Sequence, residues 1–238
     1  MTITGIPVIS GARRKELCAF QRNLGIKFRN IELLQLSFMH RSISNEIHSK
    51  ASNERLEFLG DAILGAVTAS LLYSTLIESN EGELAKIKSI VVSEETLSGI
   101  ARELQIDMMM ILGRGEELSG GRGKKALLAD ALEALFGALY LDSGFKKAFD
   151  FVSRCITPEI VKVRENRGKE DYKSRLQEVC QRKFKDYPSY RLAKHSGPEH
   201  ERYFWIEVSC GGRTFGPGMG KNKKHAEQEA ARLALAEL

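Results

Sequence analysis

The chain has 238 residues, of which 42% are hydrophobic and 28% charged, and its formal net charge is +5 at neutral pH. This composition excludes an intrinsically disordered chain, and the length allows one substantial core plus a small additional domain. No uninterrupted apolar run is long enough to predict a transmembrane helix. The positive charge permits an acidic partner without identifying one.

Two further signals bear on the compartment. The mildly apolar residues 1–10 are followed, rather than preceded, by Arg13, Arg14 and Lys15, which is the wrong order for a secretory signal. The four cysteines are widely separated and form no Cys-x-x-Cys pair, which predicts reduced thiols rather than a zinc site or a disulfide framework. We therefore expect a cytoplasmic protein with no membrane partner. The cysteines are Cys18, Cys155, Cys180 and Cys210.

Helical periodicity covers the first two-thirds of the chain, and no strand pattern is sustained before about residue 186. Between two of the predicted helices, the glycine-rich segment 113–123 lacks the preceding strand and the Gly-Lys-Ser/Thr ending of a phosphate-binding loop, so we expect a mobile connector. The predicted helices span residues 13–23, 30–42, 53–76, 81–90, 93–104, 123–142 and 145–161.

The segment Asn53-Glu54-Arg55-Leu56-Glu57-Phe58-Leu59-Gly60-Asp61 places three carboxylates on one side of an otherwise apolar helix. At roughly 100° per residue, Glu54, Glu57 and Asp61 lie within about 60° of one another. A solvated helix face is one explanation of this stripe. The other is a divalent-metal site, because clustered carboxylates beside apolar residues need a cation to offset their repulsion and desolvation.

A second helical segment strengthens the interpretation as a metal site. Residues 126–141 contain only two charged residues, Asp130 and Glu133, which share a helix face at a spacing of three. Two acids in an apolar helix without Lys or Arg need partners from elsewhere. An oxygen-rich site formed with the first acidic stripe suits Mg²⁺, with Mn²⁺ as a substitute, and predicts no small-molecule cofactor.

The composition changes at residues 164–169, where apolar residues vanish and a short flexible linker is predicted. Beyond it we expect a helix over 171–185, strands over 190–194, 203–209 and 213–215, and a last helix over 223–238. Lysines cluster where a glycine-containing turn enters that last helix, which predicts phosphate binding there, although a solvated helix start is an equal alternative for the lysines alone. They are Lys221, Lys223 and Lys224.

The order of these motifs resembles the bacterial ribonuclease III family from about Arg13 to Leu238. The resemblance rests on the nonapeptide around Glu57, on residues 128–137 and on residues 38–42, and the α-β-β-β-α order of the C-terminal residues is that of a double-stranded RNA-binding domain. It implies an all-α endonuclease domain over residues 1–163, a linker over 164–169, and a small α+β RNA-binding domain over 170–238.

The resemblance also assigns residues. Glu57, Asp61, Asp130 and Glu133 match the positions that hold the catalytic metals, whereas Glu54 and Glu81 match supporting acidic positions. Within the RNA-binding domain, the hairpin with Pro198 and His200 matches a loop that enters a minor groove, and one face of the first helix meets 2′-hydroxyl groups. That face comprises Ser174, Gln177, Glu178 and Gln181.

The activity implied is metal-dependent hydrolysis of double-stranded RNA by a homodimer, giving 5′-phosphate products with short 3′ overhangs. Processing of precursor ribosomal RNA, messenger RNA and transfer RNA is the expected role. A non-catalytic double-stranded RNA-binding scaffold is the main alternative, but a degenerate nuclease would be expected to have lost one of the four acids. A hydrolase for another phosphate ester is a second alternative, which the RNA-binding domain disfavours.

Overall fold

The computed structural model describes residues 6–44, 46, 51–170, 172–198 and 202–238, with the backbone alone at 166–170. Within these residues the chain forms two compact units, Met1–Val163 and Arg164–Leu238. The first unit is built from helices, as predicted. They are α1 (Gly11–Asn23), α2 (Ile31–Ser37), α3 (Glu54–Thr75), α4 (Glu81–Val91), α5 (Glu94–Glu103), α6 (Ile106–Met109), α7 (Arg114–Leu118), α8 (Lys125–Ser143) and α9 (Phe145–Glu170).

Helix α8 is the centre of this unit, because ten of its nineteen residues are buried. It packs against α3, α5 and α2. The start of α3 is held by the buried Asn53, whose backbone N–H donates to the Met39 carbonyl at 2.8 Å and whose own carbonyl accepts from Leu56 and Glu57. The two helices that carry the predicted acids are therefore anchored in one core.

Three sequence-based expectations for residues 30–170 are wrong. Helix α2 ends at Ser37 rather than near residue 42, because the next residues pair with another segment: the Ile111 N–H donates to the Phe38 carbonyl at 2.8 Å. The expected mobile connector at 113–123 contains α7 and a 3-10 turn, Gly121–Gly123. The expected flexible linker at 164–169 is helical, since α9 continues to Glu170.

By length and composition, α3 alone among the described residues could cross a membrane. A single helix of this kind is weak evidence for a membrane span, and α3 packs along α8 within the first unit.

The second unit has the predicted α-β-β-β-α order. Its elements are α10 (Tyr172–Phe184), β1 (Ser189–Ser196), β2 (Tyr203–Cys210), β3 (Arg213–Gly220) and α11 (Lys223–Glu237). The strands form an antiparallel sheet in the order β1-β2-β3. Ile206 and Val208 of β2 are buried with Leu176 of α10 and Ala230 of α11, so both helices cover the same face of the sheet.

Strand β3 extends five residues beyond the predicted end at Phe215. A Cβ atom at Gly218 would overlap the backbone nitrogen of Ala230, and one at Gly220 would overlap that of Ala226. These glycines therefore let α11 lie directly on the strand, although a Gly-Pro-Gly-Met-Gly sequence is untypical of strands.

The prediction of four reduced thiols is also wrong, because Cys180 of α10 and Cys210 of β2 form a disulfide. Thirty residues separate them in the sequence, but the packing of α10 on the sheet brings their Cα atoms to 6.1 Å, an ordinary distance for a disulfide. Cys18 and Cys155 are free thiols.

Candidate metal centre and RNA-binding surface

The acidic site is built on a backbone-to-backbone contact between α3 and α8. A Cβ atom at Gly60 would overlap the carbonyl oxygen of Glu133, and a Cβ atom at Gly137 would overlap the carbonyl oxygen of Leu56. Only glycine allows so close an approach. Because Gly60 lies between Glu57 and Asp61, this contact brings the acidic stripe of α3 beside Asp130 and Glu133 of α8.

The charges of the four acids interact. Burial first, and then the neighbouring charges of Asp61, Asp130 and Glu57 in that order, together raise the pKa of Glu133 to about 7. The pKa of Glu57 is raised first by burial and then by Asp130, Glu54 and Asp61. The structure thus places the predicted quartet in one neighbourhood, with Asp61 at its exposed edge.

The surroundings of the four acids suit the metal that the resemblance implies. None of the four carboxylates forms an ion pair or a side-chain hydrogen bond with any described residue, so their charge is offset by no protein cation in this part of the chain. Within the described ranges, no three side chains of Asp, Glu, His or Cys lie close enough together to bind one metal ion directly. This donor set fits Mg²⁺, which binds few carboxylates directly and keeps several waters.

The supporting acids differ in their surroundings. Glu54, at the first position of α3, accepts a hydrogen bond from the Ser52 hydroxyl at 2.9 Å and lies 3.7 Å from Nη1 of Arg41. Glu81 is exposed at the first position of α4. Sequence reasoning missed Glu94, at the start of α5, whose charge adds to burial in raising the pKa of Asp130.

Sequence reasoning also missed the structural role of Gly60 and Gly137. Both interrupt strongly helical segments, in which glycine costs about 1 kcal/mol relative to alanine. A close helix contact at the acids could have been inferred from two signals in the sequence. One glycine lies three residues after Glu57, and another lies four residues after Glu133.

The predicted RNA-binding residues lie on the surface of the second unit wherever the structure describes them. Helix α11 begins immediately after Asn222, whose side chain accepts from the His225 N–H at 2.8 Å, and three exposed lysines surround this end. Pro198 is exposed two residues beyond the end of β1, whereas His200 lies outside the described residues. The exposed lysines are Lys221, Lys223 and Lys224.

The predicted face of α10 is exposed along two turns. Its members recur at helical spacing, and Gln181 donates to the Tyr187 hydroxyl at 2.9 Å. The other members, Ser174, Gln177 and Glu178, have no hydrogen-bond partner among the described residues and are open to a ligand. On the sheet, the ammonium of Lys194 lies over the half-buried Trp205 ring, 5.5 Å from its centroid.

Comparisons with known proteins agree with this architecture. Residues 30–160 match a family model described as ribonuclease-III-like, and residues 172–238 match the double-stranded RNA binding motif. The chain is 53% identical to Ribonuclease 3 of Treponema denticola over 98% of this chain and 96% of the relative. It is 48% identical to Ribonuclease 3 of Borreliella burgdorferi over 94% and 91% of the two chains.

Among solved structures, the chain resembles the nuclease domain of ribonuclease III from Campylobacter jejuni, in a structure described as showing flexibility in the region involved in dimer formation. The TM-score is 0.56 and the identity 34%, over 59% of this chain and 95% of that one. The nuclease motif, the RNA-binding motif and the relatives that match from end to end lead to one conclusion: the chain belongs to the ribonuclease III family of endoribonucleases.

Proposed function

We propose that this protein cleaves double-stranded RNA by Mg²⁺-dependent hydrolysis and leaves 5′-phosphate ends with short 3′ overhangs. The observation that carries the proposal is the partial burial of Glu133 beside three other carboxylates at the contact between α3 and α8. Such an arrangement is unfavourable without a cation, so it is explained by a metal-binding role. Processing of precursor ribosomal RNA and other structured transcripts in the cytoplasm is the role we propose.

Each part of the chain has a task in this scheme. Glu57 and Asp61 from one helix, with Asp130 and Glu133 from the other, would hold Mg²⁺. Bound there, the metal supplies an activated water and offsets negative charge on the phosphate. The RNA-binding unit would position the duplex through phosphate and 2′-hydroxyl contacts, because side chains cannot read the deep major groove of A-form RNA.

We further propose that the nuclease unit forms a homodimer through α3. An apolar stripe follows one side of this helix at helical spacing, and all of its members are exposed in the single chain. Phe58 is 81% exposed and Tyr73 is 79% exposed, which is unusual for large apolar side chains. The stripe comprises Phe58, Ala62, Ala66, Ala69 and Tyr73.

The stripe lies beside the acidic face of the same helix. A dimer that packs the stripe against its copy across a two-fold axis would therefore place two acidic sites near each other. Two sites are what cleavage of both strands requires. Ala66→Arg should give a monomer by light scattering after gel filtration, whereas Ser89→Arg, on the exposed side of α4, should remain a dimer. A dimer formed by both variants would contradict this interface.

Cleavage itself is tested with purified protein and an end-labelled RNA duplex in Mg²⁺ or in EDTA. We expect cleavage only with Mg²⁺, 5′-phosphates on both product strands, and no cleavage by Glu133→Gln under conditions in which that variant still binds the duplex. The alternative, a non-catalytic scaffold, predicts that the unmodified protein binds but never cuts. Cleavage by Glu133→Gln at low Mg²⁺ would contradict the assignment of the four acids.

A further inference from the structure

A second charged site lies in the nuclease unit, away from the acidic residues. It is a cleft of about 420 Å³ between the loop after α1, the last turn of α8 and the first turns of α9. Three cations line it, Lys27, Lys147 and Arg154, against a single carboxylate, Asp150. The cleft therefore has an excess of two positive charges at neutral pH.

These charges are available to a ligand. Among the residues that the structure describes, neither Lys27, Lys147 nor Asp150 takes part in an ion pair. Both lysines are exposed, as is Asp150. Unpaired cations gathered in a concave site, rather than dispersed over a convex surface, are suited to binding an anion.

Arg154 is the one cation that the protein holds in place. Its Nη2 donates to the Leu24 carbonyl at 3.1 Å, and its guanidinium carbon lies 5.4 Å from the centroid of the Phe151 ring. Its Nη1 lies beside Gly25: a Cβ atom added at Gly25 would be 3.4 Å from this nitrogen. One contact from Nη2 leaves the other donors of the guanidinium for a ligand, and the fork geometry suits the oxygens of a phosphate.

The remaining walls are apolar. Phe151 and Leu139 are core side chains that reach the cleft only at their surface, with 3% and 2% exposed, whereas Ile26 packs against the core and stays half exposed. The volume falls within the range of small-molecule sites, which combine apolar walls with a few placed polar groups. A ligand that bears both a phosphate and a flat apolar ring would use both kinds of wall.

The cleft is separate from the metal centre. It is lined by Leu139 and Ser143 on α8, which lie six and ten residues beyond Glu133, or about 9 Å and 15 Å along the helix axis. At roughly 100° per residue, their side chains project about 80–120° away from that of Glu133 around the helix. A ligand in the cleft and a cation among the four acids would thus occupy different sides of α8.

We propose that this cleft binds a nucleoside 5′-monophosphate, with the phosphate held by Lys27, Lys147 and Arg154 and the base against Ile26. A terminal phosphate carries a charge of about −1.5 to −2 at neutral pH, which matches the excess charge of the cleft better than the single charge of a phosphodiester. The same chemical group occurs in free mononucleotides and at the 5′ end of an RNA strand.

The test is binding of radiolabelled AMP to the full-length protein by equilibrium dialysis in EDTA, so that no metal at the acidic site can hold the phosphate. We expect a Kd of about 1 mM or tighter, and affinity for adenosine at least about tenfold weaker. The double variant Lys27→Ala, Lys147→Ala should bind AMP about tenfold more weakly, because each substitution removes a charge-assisted contact. Lys146→Ala, an exposed neighbour outside the cleft, is the matched control and should bind AMP normally.

A second arm identifies the source of the phosphate. Short single-stranded oligonucleotides with and without a 5′-phosphate compete with AMP for the same protein. Competition that depends on the 5′-phosphate assigns the cleft to RNA ends, whereas competition by neither oligonucleotide assigns it to free nucleotides. Equal AMP binding by the double variant and the unmodified protein, equal binding of adenosine and AMP, or no AMP binding at millimolar concentration would each overturn the proposal.

Discussion

Replacing Glu133 with Gln should stabilise the metal-free protein at alkaline pH, although the same change should abolish cleavage. Glutamine keeps the size of the side chain and removes its charge. The carboxylate of Glu133 ionises with a pKa near 4.5 in the unfolded chain and near 7 in the folded protein. The folded state therefore retains a proton that the unfolded state releases between these two pH values, so stability falls as the pH rises through this window.

The magnitude follows from the same values. A rise in pKa from 4.5 to about 7 corresponds to about 3.4 kcal/mol, since each pKa unit is about 1.36 kcal/mol. Because the side chain is only partly buried, solvent reduces this cost to about 1–2 kcal/mol. For a protein of this size, that increment raises Tm by about 3–6 °C.

Scanning calorimetry of the full chain in EDTA is the measurement. The Tm of Glu133→Gln should exceed that of the unmodified protein at pH 8, where the cost is complete, and equal it at pH 4, where both states of the unmodified protein are protonated at this position. Adding Mg²⁺ at pH 8 should raise the Tm of the unmodified protein more than that of the variant. Glu78→Gln, an exposed acid beyond α3, is the control and should have no effect.

Equal Tm values for Glu133→Gln and the unmodified protein in EDTA at pH 8 would refute the reasoning. That result would mean that the folded protein already offsets the charge of Glu133 without a metal. It would remove the argument that the four acids are gathered at an energetic cost for the sake of a cation.

Three other changes test other parts of the structure. Gly60→Ala should lower the unfolding free energy by about 3 kcal/mol and reduce cleavage, because its methyl group would overlap the backbone of α8. Its control is Gly99→Ala, which has no atom near its Cβ and should raise the unfolding free energy by about 0.5–1 kcal/mol. Thermal melts of both variants measure the difference. Glu81→Ala should lose cleavage at low Mg²⁺ and recover part of it at high Mg²⁺; complete inactivity at every concentration would give Glu81 a larger role. Alanine at all three lysines of the α11 turn should weaken binding to every duplex alike and flatten its salt dependence in a titration series, and an unchanged slope would mean that they do not contact phosphate. Those lysines are Lys221, Lys223 and Lys224.

The fold class and the two acidic pairs could be predicted because they depend on patterns local in sequence, whereas the metal site that the two pairs would form stays a prediction. The helical spacing of Glu57 and Asp61, and of Asp130 and Glu133, places each pair on one helix face. The buried Ile206 and Val208 follow from simple alternation along a strand. In each case the relevant neighbours lie within a few residues of one another.

The features that were not predicted depend on contacts distant in sequence. The end of α2 is set by Ile111, and the Cys180–Cys210 disulfide by the packing of α10 on the sheet. The helical linker was missed because polar residues such as those of 164–169 are compatible with a solvated helix as well as with a coil. The effect of Glu94 on Asp130 arises only once α5 lies against α8.

The interlocking of Gly60 and Gly137 makes the spacing of the acids independent of the side chains around them. The α3–α8 separation is limited at this point by main-chain atoms, which are the same whatever the core residues are. Substitutions among the apolar side chains of the two helices should therefore change how stable the nuclease unit is before they change how far apart its carboxylates lie. Such a site can tolerate extensive sequence drift in its core while the arrangement of its carboxylates is preserved.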